Sequence, residues 1–95
     1  MTRDEKIVER LRRGLDATHV ELIDDSEKHR GHPGARGGAG HYSVVVVAQR
    51  FAGLDRVARH RAIYEALGDL IPGEIHALSA QAFDPGEWSR RGAAR

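Results

Sequence analysis

Ninety-five residues with 31% charged and 40% hydrophobic side chains, at a formal net charge of +1 with neutral histidines, suffice for one soluble domain with a modest core and exclude a second. Two Tyr, two Phe and one Trp are too few for a base-stacking platform, and strong non-specific DNA binding is not implied by so small a charge. The absence of cysteine removes disulfides, thiolate catalysis and thiolate metal ligation together.

In chain order, Thr2 followed three residues later by Glu5 fits a helix-capping box, and Ile7, Val8, Leu11 and Leu15 recur at helical spacing, which predicts an amphipathic helix over Arg3 to Leu15. Gly14 weakens its last turn and helps to stop it. His19 to Asp24 alternates, with Val20 and Leu22 on one side and Glu21 and Ile23 on the other, as a half-buried strand does. Asp25 to Gly40 holds five glycines and Pro33 without apolar periodicity, longer than the connections usual inside a compact domain and therefore a functional or disordered loop.

His41 to Ala48 contains the run Val44 to Val47, the strongest strand signal in the chain and the expected central strand. From Leu54 onward Val57, Tyr64, Leu67 and Ile71 return to helical spacing, closed by Pro72-Gly73. A last strand, Glu74 to Phe83, leads into Asp84-Pro85-Gly86-Glu87, the signature of a short capped helical turn. The second and third strands should pair in parallel across the helix and the first two antiparallel across the loop. The expected fold is α+β, helix-strand-strand-helix-strand, a three-stranded mixed sheet with helices on one face. Residues 1–89 would form the single domain and Arg90 to Arg95 a basic disordered tail. Charge on every turn of Met1 to Arg13, and no run near the roughly 18 apolar residues of a membrane span, give the expectation of a cytoplasmic protein without membrane contact.

The six histidines are the distinctive chemistry, because neutral imidazole is a common metal ligand. His29, His32 and His41 lie in or beside the glycine-rich loop, His76 on the last strand and His60 on the second helix. A His-X-X-His pair such as His29 and His32 on a loop also arises by chance, and solvated loop histidines are the plainer reading. No HExxH, GxSxG, Walker A or dinucleotide fingerprint is present. Asp24, Asp25 and Ser26 end a strand, where neighbouring side chains point to opposite faces, so they do not make a triad. Arg50, Arg56, Arg59, His60 and Arg61 form a basic cluster at the start of the second helix, suited to a protein partner or to phosphates.

Taken together, Asp24-Asp25-Ser26-Glu27-Lys28-His29, Gly31-His32, His41-Tyr42-Ser43-Val44, Arg50-Phe51-Ala52-Gly53-Leu54, Arg59-His60-Arg61, Ile75-His76-Ala77-Leu78-Ser79 and Pro85-Gly86-Glu87-Trp88 resemble the BolA family across roughly residues 3 to 88. The resemblance implies a fold like the class II KH domain. It also implies a non-catalytic adaptor that partners a monothiol glutaredoxin and shares with it a glutathione-supported [2Fe-2S] cluster, which this chain does not hold alone. In that family one ligand is the histidine of the last strand's His-Ala-Leu motif, here His76. The other is a Cys or His of the loop between the first two strands, here His29, with His32 as its substitute.

Cluster transfer, or iron, redox and stress regulation, would follow from mixed sulfur and imidazole ligation. The resemblance also carries a runner-up, a DNA-binding transcriptional regulator acting through the basic second helix. KH-type RNA clamping needs GXXG between two helices, whereas the matches from Gly31 to Gly40 sit between strands. A third reading is a plain interaction module in which Val57, Tyr64 and the arginines meet a protein. A weak homodimer is left open.

Overall fold

Thr2 accepts the Glu5 amide N–H at 3.1 Å while the Glu5 carboxylate accepts the Thr2 N–H at the same distance, and this reciprocal box starts α1 (Arg3–Leu15) where the sequence expects it. The computed structural model describes residues 1–25 and 40–93. The glycine-rich stretch, with Ser26, His29 and His32, lies outside the described residues. Ile7, Leu11 and Leu15 are buried along one face of α1, each burial favouring the fold by about 1.5–3 kcal/mol. Gly14 does more than weaken the last turn. A Cβ there would sit 2.8 Å from Cβ of Ala66, so this glycine lets α1 approach α2 (Arg56–Leu67) closely. Asp16, in the left-handed region at φ 53°, ends the helix.

The sheet has the order β1-β2-β3. β1 (His19–Asp24) pairs antiparallel with β2 (Gly40–Val47), and β3 (Ile75–Phe83) pairs parallel with β2. The valine run is central, as expected. Tyr42, Val44 and Val46 face the helices and join Ile7, Leu11 and Phe51 in one core, while His41, Ser43 and Val45 alternate onto the opposite face.

α2 starts at Asp55, whose Oδ1 accepts the Ala58 N–H at 2.8 Å. Its buried residues are Ile63 and Leu67, flanked by Ala62 and Ala66. The expected apolar stripe is corrected here, since Val57 is 65% and Tyr64 44% exposed. The physical reason is that α2 turns Ile63 and Leu67 with the small Ala62 and Ala66 to the core, leaving Val57 and Tyr64 outside it, while the helix ends at Gly68, at φ 53°, so Ile71 belongs to a separate turn, α3 (Leu70–Gly73). Arg10 spans this junction, donating to the Leu67 carbonyl and meeting Asp69, both at 3.1 Å.

After Phe83, Asp84 and Glu87 form a second capping box: the Asp84 N–H donates to Glu87 at 2.7 Å and the Glu87 N–H to Asp84 at 2.8 Å. It opens α4 (Pro85–Ala93), longer than the turn expected. The disordered tail expected from Arg90 is corrected accordingly, because the helix continues to Ala93. Arg91 lies 5.2 Å from the centre of the Phe83 ring, a cation–π contact that holds the last turn to β3. The ring centres of His19 and Phe83 lie 5.2 and 5.5 Å from that of Trp88. Both residues flank Val47 in register. Val47 is 1% exposed although it stands outside the main core cluster, between two strand neighbours that both meet Trp88.

Candidate functional site

β3 gains one residue over β2 where the sheet begins: Gly40 pairs with Ile75 and His41 with Ala77, leaving His76 as the extra residue. Such a bulge locally overrides alternation and re-aims a side chain. Here it brings the exposed His76 against the half-buried His41, with ring centres 5.1 Å apart and planes inclined by 51°. The same strand end fixes both sides of the loop. Asp25 N–H donates to the His41 carbonyl at 2.7 Å and Gly40 N–H to the Glu74 carbonyl at 3.0 Å, and the Ser43 hydroxyl donates to the Asp25 carboxylate. The described residues on either side, Asp25 and Gly40, therefore both lie beside His41.

The family resemblance points to His76 as a ligand and does not pair it with His41. Only the bulge makes them neighbours, and one extra residue in a strand leaves no mark in hydrophobic patterning. Among the described residues no three His, Asp or Glu side chains come close enough together to hold a metal ion, so the His41–His76 pair offers two imidazoles and needs donors from elsewhere to complete a coordination sphere.

The basic cluster divides in two. Arg59 is built into the fold: its side chain is 12% exposed, its Nε donates to the Leu54 carbonyl at 2.9 Å, and one terminal nitrogen donates to the Ala82 carbonyl at 3.1 Å and to Glu87 at 2.6 Å. That guanidinium, with the Asp84 amide behind it, holds the Glu87 carboxyl below its ordinary range. Arg50 donates to the Gly14 carbonyl at 2.7 Å. Arg56 and Arg61 are exposed and His60 half-buried, so the surface that could meet a partner is smaller than the cluster read from sequence. Asp25, one member of the weak acid-serine constellation, is bonded to Ser43, and Ser26 lies outside the described residues.

A BolA-like protein family model matches residues 11–87. The chain belongs to the BolA family. It is 38% identical over 91 residues to Arabidopsis thaliana SufE-like protein 1, chloroplastic/mitochondrial, covering 90% of this chain and 24% of that protein. It is 33% identical over 84 residues to the Escherichia coli DNA-binding transcriptional regulator BolA, covering 88% and 77%. Among solved structures, the BolA domain of SufE1 from Arabidopsis thaliana superposes with a TM-score of 0.79 at 37% identity, over 92% of this chain and 96% of that one. The chain thus spans about a quarter of the plant SufE-like protein it matches, and in the family it corresponds to the BolA domain. The α+β architecture expected from the resemblance is the one found. No helix among the described residues is long and apolar enough to cross a membrane.

Proposed function

We propose that this BolA-family chain is a non-catalytic adaptor that docks on a monothiol glutaredoxin and shares with it a glutathione-supported [2Fe-2S] cluster. The observation that carries the reading is the His41–His76 pair. A metal–imidazole bond of about 2 Å puts the ring centres of two imidazoles on one metal centre about 5 Å apart, and these rings stand at 5.1 Å. His76 supplies one ligand. The family resemblance assigns the second to His29, with His32 as its substitute, and the ring spacing adds His41 to that set. With no cysteine in the chain, the sulfur must come from the glutaredoxin thiolate and glutathione. When bound, the cluster supplies electron storage and a transferable iron-sulfur unit, and imidazole ligation raises its potential above that of an all-thiolate cluster.

The chain's own residues hold the imidazoles in place. The β3 bulge aims His76, the Asp25 and Gly40 backbone bonds pin the loop ends, and the half-buried His41 limits rotation of its neighbour. Ligand imidazoles must be neutral, so acid weakens the complex. The test is visible absorption and circular dichroism of the chain mixed with cluster-loaded monothiol glutaredoxin and glutathione. Wild type changes the cluster spectrum, His76→Ala does not, and His29→Ala, His32→Ala and His41→Ala rank the second ligand. An unchanged wild-type spectrum sinks the reading. DNA binding through α2, the alternative suggested by the E. coli relative's name, is less well supported, because Arg59 and Arg50 are engaged within the fold.

A further inference from the structure

We propose that the outer face of α2 is a second docking surface, for an acidic amphipathic helix of a protein partner. Five large hydrophobic side chains are exposed among the described residues, and Leu54, Val57 and Tyr64 of these, 39%, 65% and 44% exposed, line two neighbouring grooves on and beside α2. Val57, His60, Arg61 and Tyr64 stand at i, i+3, i+4 and i+7, so they share a face of α2, adjacent to the one that buries Ile63 and Leu67. Val57, His60, Arg61, Tyr64 and Glu65 line a shallow groove there. His60 also lines the neighbouring groove, which runs past Leu54 and Arg56 to Arg91 and Gln81 at the end of β3. The two grooves therefore meet at His60.

Charge selects the occupant. Arg56, Arg61 and Arg91 with His60 surround the apolar stripe, Glu65 is the acid of the first groove, and the Glu87 carboxylate of the second is neutralised by Arg59. A second copy meeting this face about a two-fold axis would set arginine against arginine. Nucleic acid would satisfy the arginines and leave Val57 and Tyr64 without an apolar partner. A helix with leucine-like anchors on one side and carboxylates on its flanks satisfies both, which is the helix-in-groove mode. From Val57 to Tyr64 the stripe runs about 10 Å, the length of about two turns of such a helix. This surface is separate from the histidine pair: the Arg59 contact at Ala82 is six residues along β3 from His76, about 20 Å.

The probe is a short fluorescent helical peptide with leucine at i, i+4 and i+7 and glutamate and alanine elsewhere, titrated with the full chain and read by anisotropy. Saturable binding is expected, weakened about tenfold or more by Val57→Glu and by Tyr64→Ala, weakened also by Arg56→Ala combined with Arg61→Ala, and unchanged by His76→Ala. Unaltered far-ultraviolet circular dichroism and Trp88 emission show that the variants are folded. No saturable binding, or equal binding of a scrambled peptide of the same composition, overturns the proposal. So does a duplex DNA that binds in the peptide's place, sensitive to the arginines and indifferent to Val57.

Discussion

Arg59 and Glu87 meet at 2.6 Å, and through that contact α2 is tied to the first turn of α4 at the outer edge of β3. Because the same guanidinium also donates to the Leu54 and Ala82 carbonyls, its loss removes a donor from both and the charged partner from Glu87. Arg59→Ala is expected to destabilise the fold by about 2–3 kcal/mol, measured by urea denaturation. Arg59→Lys recovers little, since an ammonium cannot reach three acceptors in a fork.

The same contact gives a pH dependence with a defined sign. Glu87 is held below its ordinary range, first by the Arg59 hydrogen bond and then by the Asp84 amide. Its contribution is therefore complete above the ordinary carboxylate pKa and is lost as pH falls through the lowered folded value. Glu87→Gln should flatten the acid limb of the stability profile, and an identical acid limb in the variant would contradict this.

Trp88 is the chain's one tryptophan, and it joins α4 to the sheet through His19 and Phe83. Trp88→Ala is expected to cost about 3 kcal/mol, the low end for a large aromatic because the ring is half-buried. In wild type, Trp88 emission should shift to the red together with the loss of helix signal on denaturation. An earlier shift would mean that α4 undocks separately.

Gly14→Ala tests the helix crossing. Alanine gains roughly 1 kcal/mol in a helix interior, but its Cβ would stand 2.8 Å from Cβ of Ala66 and 3.4 Å from that residue's backbone Cα. The clash should win, lowering stability by about 1 kcal/mol or more. Ala66→Gly in the same chain relieves it.

For DNA, α2 offers Arg56 and Arg61, both exposed and without an ion-pair partner among the described residues. Replacing both with alanine should reduce the slope of log K against log salt by no more than about 1.8, read from filter or anisotropy titrations of a duplex. A larger change would mean that Arg59 or Arg50 leaves its place in the fold to bind phosphate.

Much of this architecture was legible in the residues. The box of Thr2 and Glu5 and the spacing of Ile7, Leu11 and Leu15 define α1 to its observed ends, and the Val44 to Val47 run marks the central strand. The buried face of α2 was not legible, because Ala62 and Ala66 carry little hydrophobic signal and Val57 and Tyr64 carry a misleading one. The length of α4 was hidden because Arg90 and Arg91 read as a solvated tail, whereas Arg91 rests on Phe83. At the site, His76 was legible by motif. Its neighbour His41 was not, since their contact depends on a register shift between two strands far apart in sequence.

The most direct test of the central claim is pulsed electron paramagnetic resonance on the reduced complex, with this chain carrying nitrogen-15 histidine and the glutaredoxin and glutathione unlabelled. The account predicts nitrogen-15 hyperfine coupling from imidazole bound to the cluster, lost in His76→Ala. A cluster signal without that coupling in the wild-type complex would contradict it.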